Sequence, residues 1–281
     1  YEMTADTEFL EMIMPRMEKM MQYLLNQTND LGFIYGRQGD WIFVDWSEMD
    51  KDGTVAAEQM FLLQALKAII TAKKALNQDT SNYENRFNTL KENTVKYFWD
   101  NEQGAFIDSY ESGKHHVTRH ANILAILFNI VDDDKKQQIL HNVLLNDQIT
   151  QLTTPYFKFF EQDALCQLGQ LKTVYDTIKD YWGSMIKKGA TTIWEEYDPS
   201  VTGKQQFAMY GDPFGKSLCH AWGSSPVYLL GRYFMGLQPT SAGYSTFEVA
   251  PHLTMFKHLD CTLPIKGGSV DFRGHDGQVD I

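Results

Sequence analysis

Apolar residues recur at helical spacing from the start of the chain. Phe9, Leu10, Ile13, Met14, Met17, Met20, Met21, Leu24 and Leu25 fall on one stripe, which predicts an amphipathic helix with Asp6 as its N-cap. A polar loop with Gly32, Gly36 and Gly39 follows. A second long helix is predicted over 54–76, where Val55, Met60, Leu62, Leu63, Leu66, Ile69 and Ile70 keep the same period. A third is predicted near 83–99, then a short irregular stretch, Gly104-Ala105-Phe106-Ile107. Further helices read at 119–131, 135–145, 156–167 and 170–181, joined by the short connections of antiparallel neighbours. Residues 183–215 read as loop, and a last helix is predicted over 217–234.

After Gly236 the period changes from helical to alternating. Val249-Ala250-Pro251, residues 260–265 and residues 269–272 predict short strands separated by glycines. They are too few to form a stable sheet alone. The expected organisation is therefore a helical domain over 1–236 and the beginning of a β domain over 237–281. About eight helices precede the strands, in consecutive hairpins. No strand alternates with them, which excludes a TIM barrel and a Rossmann fold. No short exact repeat argues for a regular solenoid. A mainly all-α toroid of helical hairpins, or an irregular bundle, remains.

Net charge changes the picture by exclusion. At −11, with no basic patch, the chain repels phosphate backbones, so no nucleic-acid partner is expected. Apolar runs such as 123–131 are too short to span a bilayer, so no membrane partner is expected either. The first residues lack the basic start and apolar run of a signal peptide. Cys166, Cys219 and Cys261 form no CxxC pair or zinc pattern and read as buried small hydrophobes. His116 and His120 form an HxxxH without the glutamate of a zincin; no catalytic metal and no cofactor are expected.

Aromatic residues make up 13% of the chain, with six tryptophans. Four of them, Trp41, Trp46, Trp194 and Trp222, lie beside Asp40, Asp45, Glu195 and His220. Indole rings next to carboxylates suit a sugar site, where rings meet C–H faces and acids meet hydroxyls; interior packing uses the same residue type. Asp40 and Asp45 sit in a loop between helices, where they read either as substrate ligands or as turn acids. Glycosidase chemistry needs two carboxyl groups flanking the scissile bond. Glu195 and Glu196 are adjacent on a predicted extended segment, so at most one of them faces a substrate. His220 can donate to sugar hydroxyls, and a lone histidine can equally be structural.

Three segments occur in order: Gly39-Asp40-Trp41, Gly189-Ala190-Thr191-Thr192-Ile193-Trp194-Glu195, and Ser217-Leu218-Cys219-His220-Ala221-Trp222-Gly223 running into Tyr228-Leu229-Leu230-Gly231-Arg232-Tyr233. Together they resemble the α-L-rhamnosidases of glycoside hydrolase family 78. Pro239, Gly243-Tyr244 and Val249-Ala250-Pro251 resemble that family's exit into a C-terminal β-sandwich. The resemblance implies an (α/α)6 barrel and an inverting glycosidase acting on terminal α-L-rhamnosides or a related sugar. It implies Glu195 as general base, His220 as a sugar contact, and Asp40 and Trp41 in a pocket-lining loop. It places residues 157–161 near the mouth and implies a periplasmic or secreted location. The family's general acid lies in an acidic loop upstream, for which no counterpart is present here. The helix count is also about four short of twelve. The resemblance thus implies that the rest of the parent polypeptide is a partner of these 281 residues. Glu196-Tyr197-Asp198 departs from the family's usual Arg-Trp. Other chemistries fit a helical toroid as well: a non-catalytic carbohydrate-binding module, a polysaccharide lyase or an epimerase.

Overall fold

A computed structural model describes residues 1–37, 39–275 and 278–280. Residues 276, 277 and 281 of the expected β segment lie outside the described residues. The fold is mainly helical, and the chain divides into two compact units, Thr7–Leu152 and Tyr1–Asp6 with Thr153–Ile281.

Unit Thr7–Leu152 opens with α1 (Thr7–Leu25), followed by α2 (Ala56–Ala75) and α3 (Ser81–Phe98). Its hydrophobic centre is α2, whose Leu62, Leu63, Leu66 and Ile69 are buried and which packs on α1, on α3 and on the helix that begins at Arg119. The irregular stretch after α3 is a two-stranded hairpin, β1 (Trp99–Asp100) with β2 (Ala105–Phe106). Helix α4 (Arg119–Leu127) is buried from Arg119 to Ile126, its polar residues included. Its polar members are paired. Asn122 exchanges hydrogen bonds of 2.8 and 2.9 Å with the backbone of Phe106, completing the hairpin edge from inside. Arg119 donates to the carbonyls of Leu144, Asn146, Ile149 and Thr150. Leu144 ends the π turn Leu140–Leu144 that prolongs α5 (Asp133–Ile139), and the other three carbonyls lie in the loop that follows. A cation at the carbonyl end of a helix satisfies both the orphan acceptors and the helix dipole.

The second unit begins its helical part with α6 (Pro155–Gln167). Thr154 caps it, accepting from the Phe157 N–H, and Pro155 occupies the first turn. The next helix differs from the expectation of an end near residue 181. α7 (Leu171–Thr177) runs through the π turn Ile178–Trp182 into α8 (Gly183–Lys187), because Gly183 adopts ordinary helical angles. The stop comes at Gly189, whose φ of 97° reverses the chain. The helix expected over 217–234 also differs. Residues 217–220 are not helical, a short 3₁₀ turn spans Ala221–Gly223, and α9 (Ser225–Leu229) begins at the proline-containing Ser225-Pro226. The reason is a competing backbone partner, described below. A π turn, Leu230–Phe234, prolongs α9. Gly236 ends it at φ 70°, where a Cβ would stand 2.0 Å from the Ala250 carbonyl oxygen.

The strands follow. β3 (Leu237–Pro239) pairs with β4 (Phe247–Val249), antiparallel. β5 (His258–Ile265), β6 (Gly268–His275) and β7 (Gln278–Asp280) form an antiparallel meander. Exposed and half-buried residues alternate along β5, the signature of a sheet with one covered face. The three cysteines are unpaired; Cys166 is buried, but Cys219 is exposed and Cys261 half-buried, so the expected burial holds for one of three. Among the described residues no helix is long and apolar enough to cross a membrane.

Candidate active site

Two loop segments of the second unit lie side by side and build the surroundings of Glu195. The Glu195 N–H donates to the Ser217 carbonyl at 2.9 Å, and the His220 N–H donates to the Ile193 carbonyl at 2.8 Å. Thr192 Oγ1 adds a bond to the Leu218 carbonyl. This pairing takes 217–220 out of helical geometry. It also fixes the backbone from which the Glu195 side chain projects.

Glu195 is buried, 7% exposed as a residue. One oxygen accepts from the Tyr210 hydroxyl at 2.8 Å; the other accepts from the Ser217 N–H at 3.1 Å. Two donors from different loops hold the group in one orientation, the preorganisation that a catalytic or binding carboxylate needs. The Tyr210 phenol is held above its usual range, by partial desolvation first and by its bond to Glu195 second. Tyr210 itself is largely exposed, at φ 54°, on a turn closed by Met209–Asp212 backbone bonds. Glu196 takes another partner: its carboxylate lies 2.6 Å from Nζ of the buried Lys216. The two adjacent glutamates are thus committed to different neighbours.

Trp222 is a strut as well as a ring surface. Its indole N–H donates to the Glu195 carbonyl at 3.1 Å, its ring stacks on Tyr156 at 5.0 Å, and the His220 ring lies 4.2 Å away. Gly223 is required next to it: a Cβ there would stand 2.4 Å from Ile193 Cγ2 and 2.7 Å from Pro155 Cβ. Trp194 is only 3% exposed and sits in an aromatic core with Tyr181, Trp182, Met185 and Tyr197. It anchors the segment from behind Glu195. Of residues 157–161, Phe157 is buried and Glu161 forms a buried ion pair with Lys158 at 3.4 Å.

The remaining candidates belong to the unit Thr7–Leu152. Asp40 pairs with Arg37 at 2.8 Å on the surface, and the guanidinium holds its carboxyl below the usual range. Trp41 is 75% exposed. It forms an aromatic group with Phe43 and Trp46, with centroids 5.1 Å and 6.4 Å from the Trp41 ring. Asp45, by contrast, is buried and lies 3.1 Å from Nε2 of the buried His120, whose Nδ1 meets Thr118 Oγ1. Asp45 thus ties the aromatic loop to the start of α4.

Three residues escaped the sequence reading. Tyr210 and Ser217 hold Glu195, and a tyrosine in a polar loop or a backbone N–H carries no motif. Glu58, in the first turn of α2, is pushed up to about 7, by burial first, with the Asp40 charge adding to it and Lys51 opposing. Its Oε2 is buried without a hydrogen-bond partner. A carboxyl in that range can donate a hydrogen bond near neutrality.

The family of bacterial α-L-rhamnosidase six-hairpin glycosidase domains matches residues 1–234. The chain belongs to that family. Among solved structures, it is similar to the family 78 rhamnosidase of Bacillus sp. GL1, with 23% identity and a TM-score of 0.85 over 97% of this chain and 29% of that one. The rhamnosidase from Klebsiella oxytoca with rhamnose bound aligns at 25% identity and a TM-score of 0.67, over 79% of this chain and 42% of that one. The Streptomyces avermitilis α-L-rhamnosidase complexed with L-rhamnose aligns at 20% identity and 0.73, over 97% and 26%. No curated protein matches the chain. The six-hairpin domain chain therefore spans well under half the length of these relatives.

Proposed function

We propose that this chain carries the general base and part of the sugar site of an inverting glycoside hydrolase that releases terminal α-L-rhamnose, or a related sugar, from glycans or glycosides. The observation that carries the reading is the Glu195 carboxylate, oriented by Tyr210 and the Ser217 N–H and flanked by Trp222 and His220. In this reading Glu195 removes a proton from the water that attacks the anomeric carbon. A second carboxyl group, roughly 6.5–9.5 Å away, protonates the leaving oxygen. The resemblance assigns that acid to an upstream loop of the parent protein. His220 and Trp222 meet the sugar; Trp194 supports the segment from its core side. In the unit Thr7–Leu152, Asp40, Trp41 and Trp46 are sugar contacts in this reading; the Trp41 ring is exposed, Phe43 and Trp46 are half-buried beside it, and Asp45 holds the loop through His120. Residues 1–236 are read as the hairpin domain and 237–281 as the beginning of a β-sandwich. Rhamnose in two solved relatives supports the choice of sugar.

The test is hydrolysis of an aryl α-L-rhamnoside by this chain and by a version extended upstream, each with its Glu195→Gln counterpart. Turnover by the extended version alone, abolished by Glu195→Gln and yielding first the inverted anomer by NMR, is the expected result. The substitution should cost about 10²–10⁴-fold in rate. Full activity in Glu195→Gln would overturn the assignment. An ultraviolet-absorbing unsaturated product would replace hydrolysis by elimination, and rhamnose binding without turnover in the extended protein would make this a binding module.

A further inference from the structure

We infer that the unit Thr7–Leu152 carries a separate saccharide site, a recess between α1, α2 and α3 that takes a neutral 6-deoxyhexose. The recess has a volume of about 300 Å³. That is the low end of small-molecule sites and ample for one pyranose. Its floor is aliphatic: Leu62, Leu66 and Leu90 are at most 3% exposed, and Leu25 closes one end.

The rim is polar, and its groups are unspent. Asn82, Asn85, Arg86 and Thr89 follow the i, i+3, i+4, i+7 spacing of one face of α3, which brings all four to the same recess. Asp30 enters from the loop after α1. Among the described residues no hydrogen bond or ion pair joins any of these five side chains to the protein. Their neighbours differ. Asn29 Oδ1 accepts from the Leu31 and Phe33 N–H groups at 3.0 Å, and Thr28 Oγ1 donates to the Leu25 carbonyl at 2.9 Å. Asn29 and Thr28 shape the loop, with Gly32 at φ 82° making the turn, and leave Asp30 displayed.

The chemistry of the rim selects the ligand. One carboxylate and one guanidinium cancel, in a chain whose net charge is −11, so the site favours a neutral molecule. Two amides, a carboxylate and a guanidinium are two-pronged partners for vicinal hydroxyls. No aromatic ring lines the recess, so the ring-stacking mode of sugar binding is absent. The aliphatic floor suits a methyl group and C–H edges. A 6-deoxyhexose offers adjacent hydroxyls on one side and a methyl group on another. The choice of L-rhamnose as the probe rests on the function proposed above; the recess itself does not involve Glu195.

The experiment is titration of the ¹⁵N-labelled chain with L-rhamnose and with L-mannose, its 6-hydroxy counterpart, followed by NMR. The side-chain amides of Asn82 and Asn85 and the backbone of residues 28–32 are expected to shift and saturate with L-rhamnose. L-Mannose should bind roughly fourfold more weakly, the equivalent of one buried methyl group. Arg86→Ala and Asn85→Ala, both at exposed positions, should erase these shifts while leaving the rest of the spectrum in place. The Trp222 indole N–H reports separately on the surroundings of Glu195. If it moves and the α3 amides do not, the saccharide recess is wrong while the catalytic reading stands; the reverse pattern separates them the other way. Shifts that survive both substitutions, or equal affinity for the two sugars, would overturn the 6-deoxyhexose site.

Discussion

The two loops that carry tryptophan beside an acid are built in opposite ways. In the second unit, residues 192–197 and 216–220 are tied to each other by backbone hydrogen bonds, and Lys216 and Tyr197 are bonded in turn to Phe207 and Thr153. There the carboxylate is fixed and the indoles serve as supports: Trp194 in the core, Trp222 bonded to the Glu195 carbonyl. In the unit Thr7–Leu152, the backbone–backbone bonds of residues 39–49 are, among the described residues, short-range, Asp40 to Arg37 and Met49 to Ser47, and the Ile42 carbonyl accepts from the Lys51 side chain. There Trp41 is displayed, and it is Asp45 that is buried as the anchor. The same local signal yields a rigid acid with supporting rings in one unit and displayed rings with an anchoring acid in the other. What decides is whether a second backbone segment lies within hydrogen-bonding reach, since an extended segment buries its polar groups only where they are paired.

The most direct test of the backbone pairing is Gly223→Ala. The added Cβ would stand 2.4 Å from the Ile193 side chain and 2.7 Å from Pro155, so one of these neighbours or the Gly223 backbone must shift. A loss of about 1–3 kcal/mol in denaturant unfolding is expected, together with weakened Glu195 function in the extended protein. An unchanged stability would mean that the pairing tolerates slack, and the contrast with the other loop would shrink.

A smaller effect is expected beneath the second loop. The Glu58 carboxyl is pushed from the ordinary 4.5 up to about 7 by burial first. The folded state therefore keeps this proton to higher pH than the unfolded state. Its contribution is fully present below about 4.5 and is lost as pH rises through about 7. Glu58→Gln should remove a decline of roughly 1–2 kcal/mol across that window, a figure reduced for the partial exposure of the group. Urea unfolding at pH 4.5, 6 and 8 reads it. A mutant with the same slope as the parent would place the titration elsewhere.

Most of the helical frame was legible because its signals are local. Period and turn residues located α1 to α6, and the change of period after Gly236 announced the strands. The errors came where one element is defined by another. The helix expected from residue 217 starts at Ser225 because residues 217–220 pair with 193–195, a relation across more than twenty positions that no window sees. Glu195 was legible as a candidate through its neighbours Ile193 and Trp194 and through family resemblance. Tyr210 and the Ser217 N–H were not, since a hydroxyl and a backbone amide become ligands only through geometry. The same holds for Asp45: its adjacency to Trp46 marked it as a substrate contact, while the structure buries it against His120, 75 positions away.

Tyr210→Phe removes one of the two donors to Glu195 and leaves the other. It should slow hydrolysis in the extended protein by about 0.5–1.5 kcal/mol, or roughly 2–12-fold, the worth of a single part-buried hydrogen bond. The comparison predicts little change in stability, because Tyr210 is exposed and the paired backbone does not depend on it. An effect confined to KM would instead make Tyr210 a contact to the sugar.

The smallest effect is expected at Trp41. Its ring is 75% exposed, and its aromatic neighbours among the described residues are Phe43 and Trp46. Trp41→Ala should leave the melting temperature nearly unchanged, because the ring buries little apolar area on folding. If the ring is a sugar platform, rhamnoside affinity should fall by up to about 1 kcal/mol, the order of one added aromatic contact. Trp194→Ala makes the opposite demand. That ring is buried, so its loss should cost roughly 3–5 kcal/mol of stability. Measured side by side, the pair separates a tryptophan that serves a ligand from one that serves the fold. If Trp41→Ala destabilised the protein as strongly as Trp194→Ala, the loop would be a core element, and the displayed platform would have no basis.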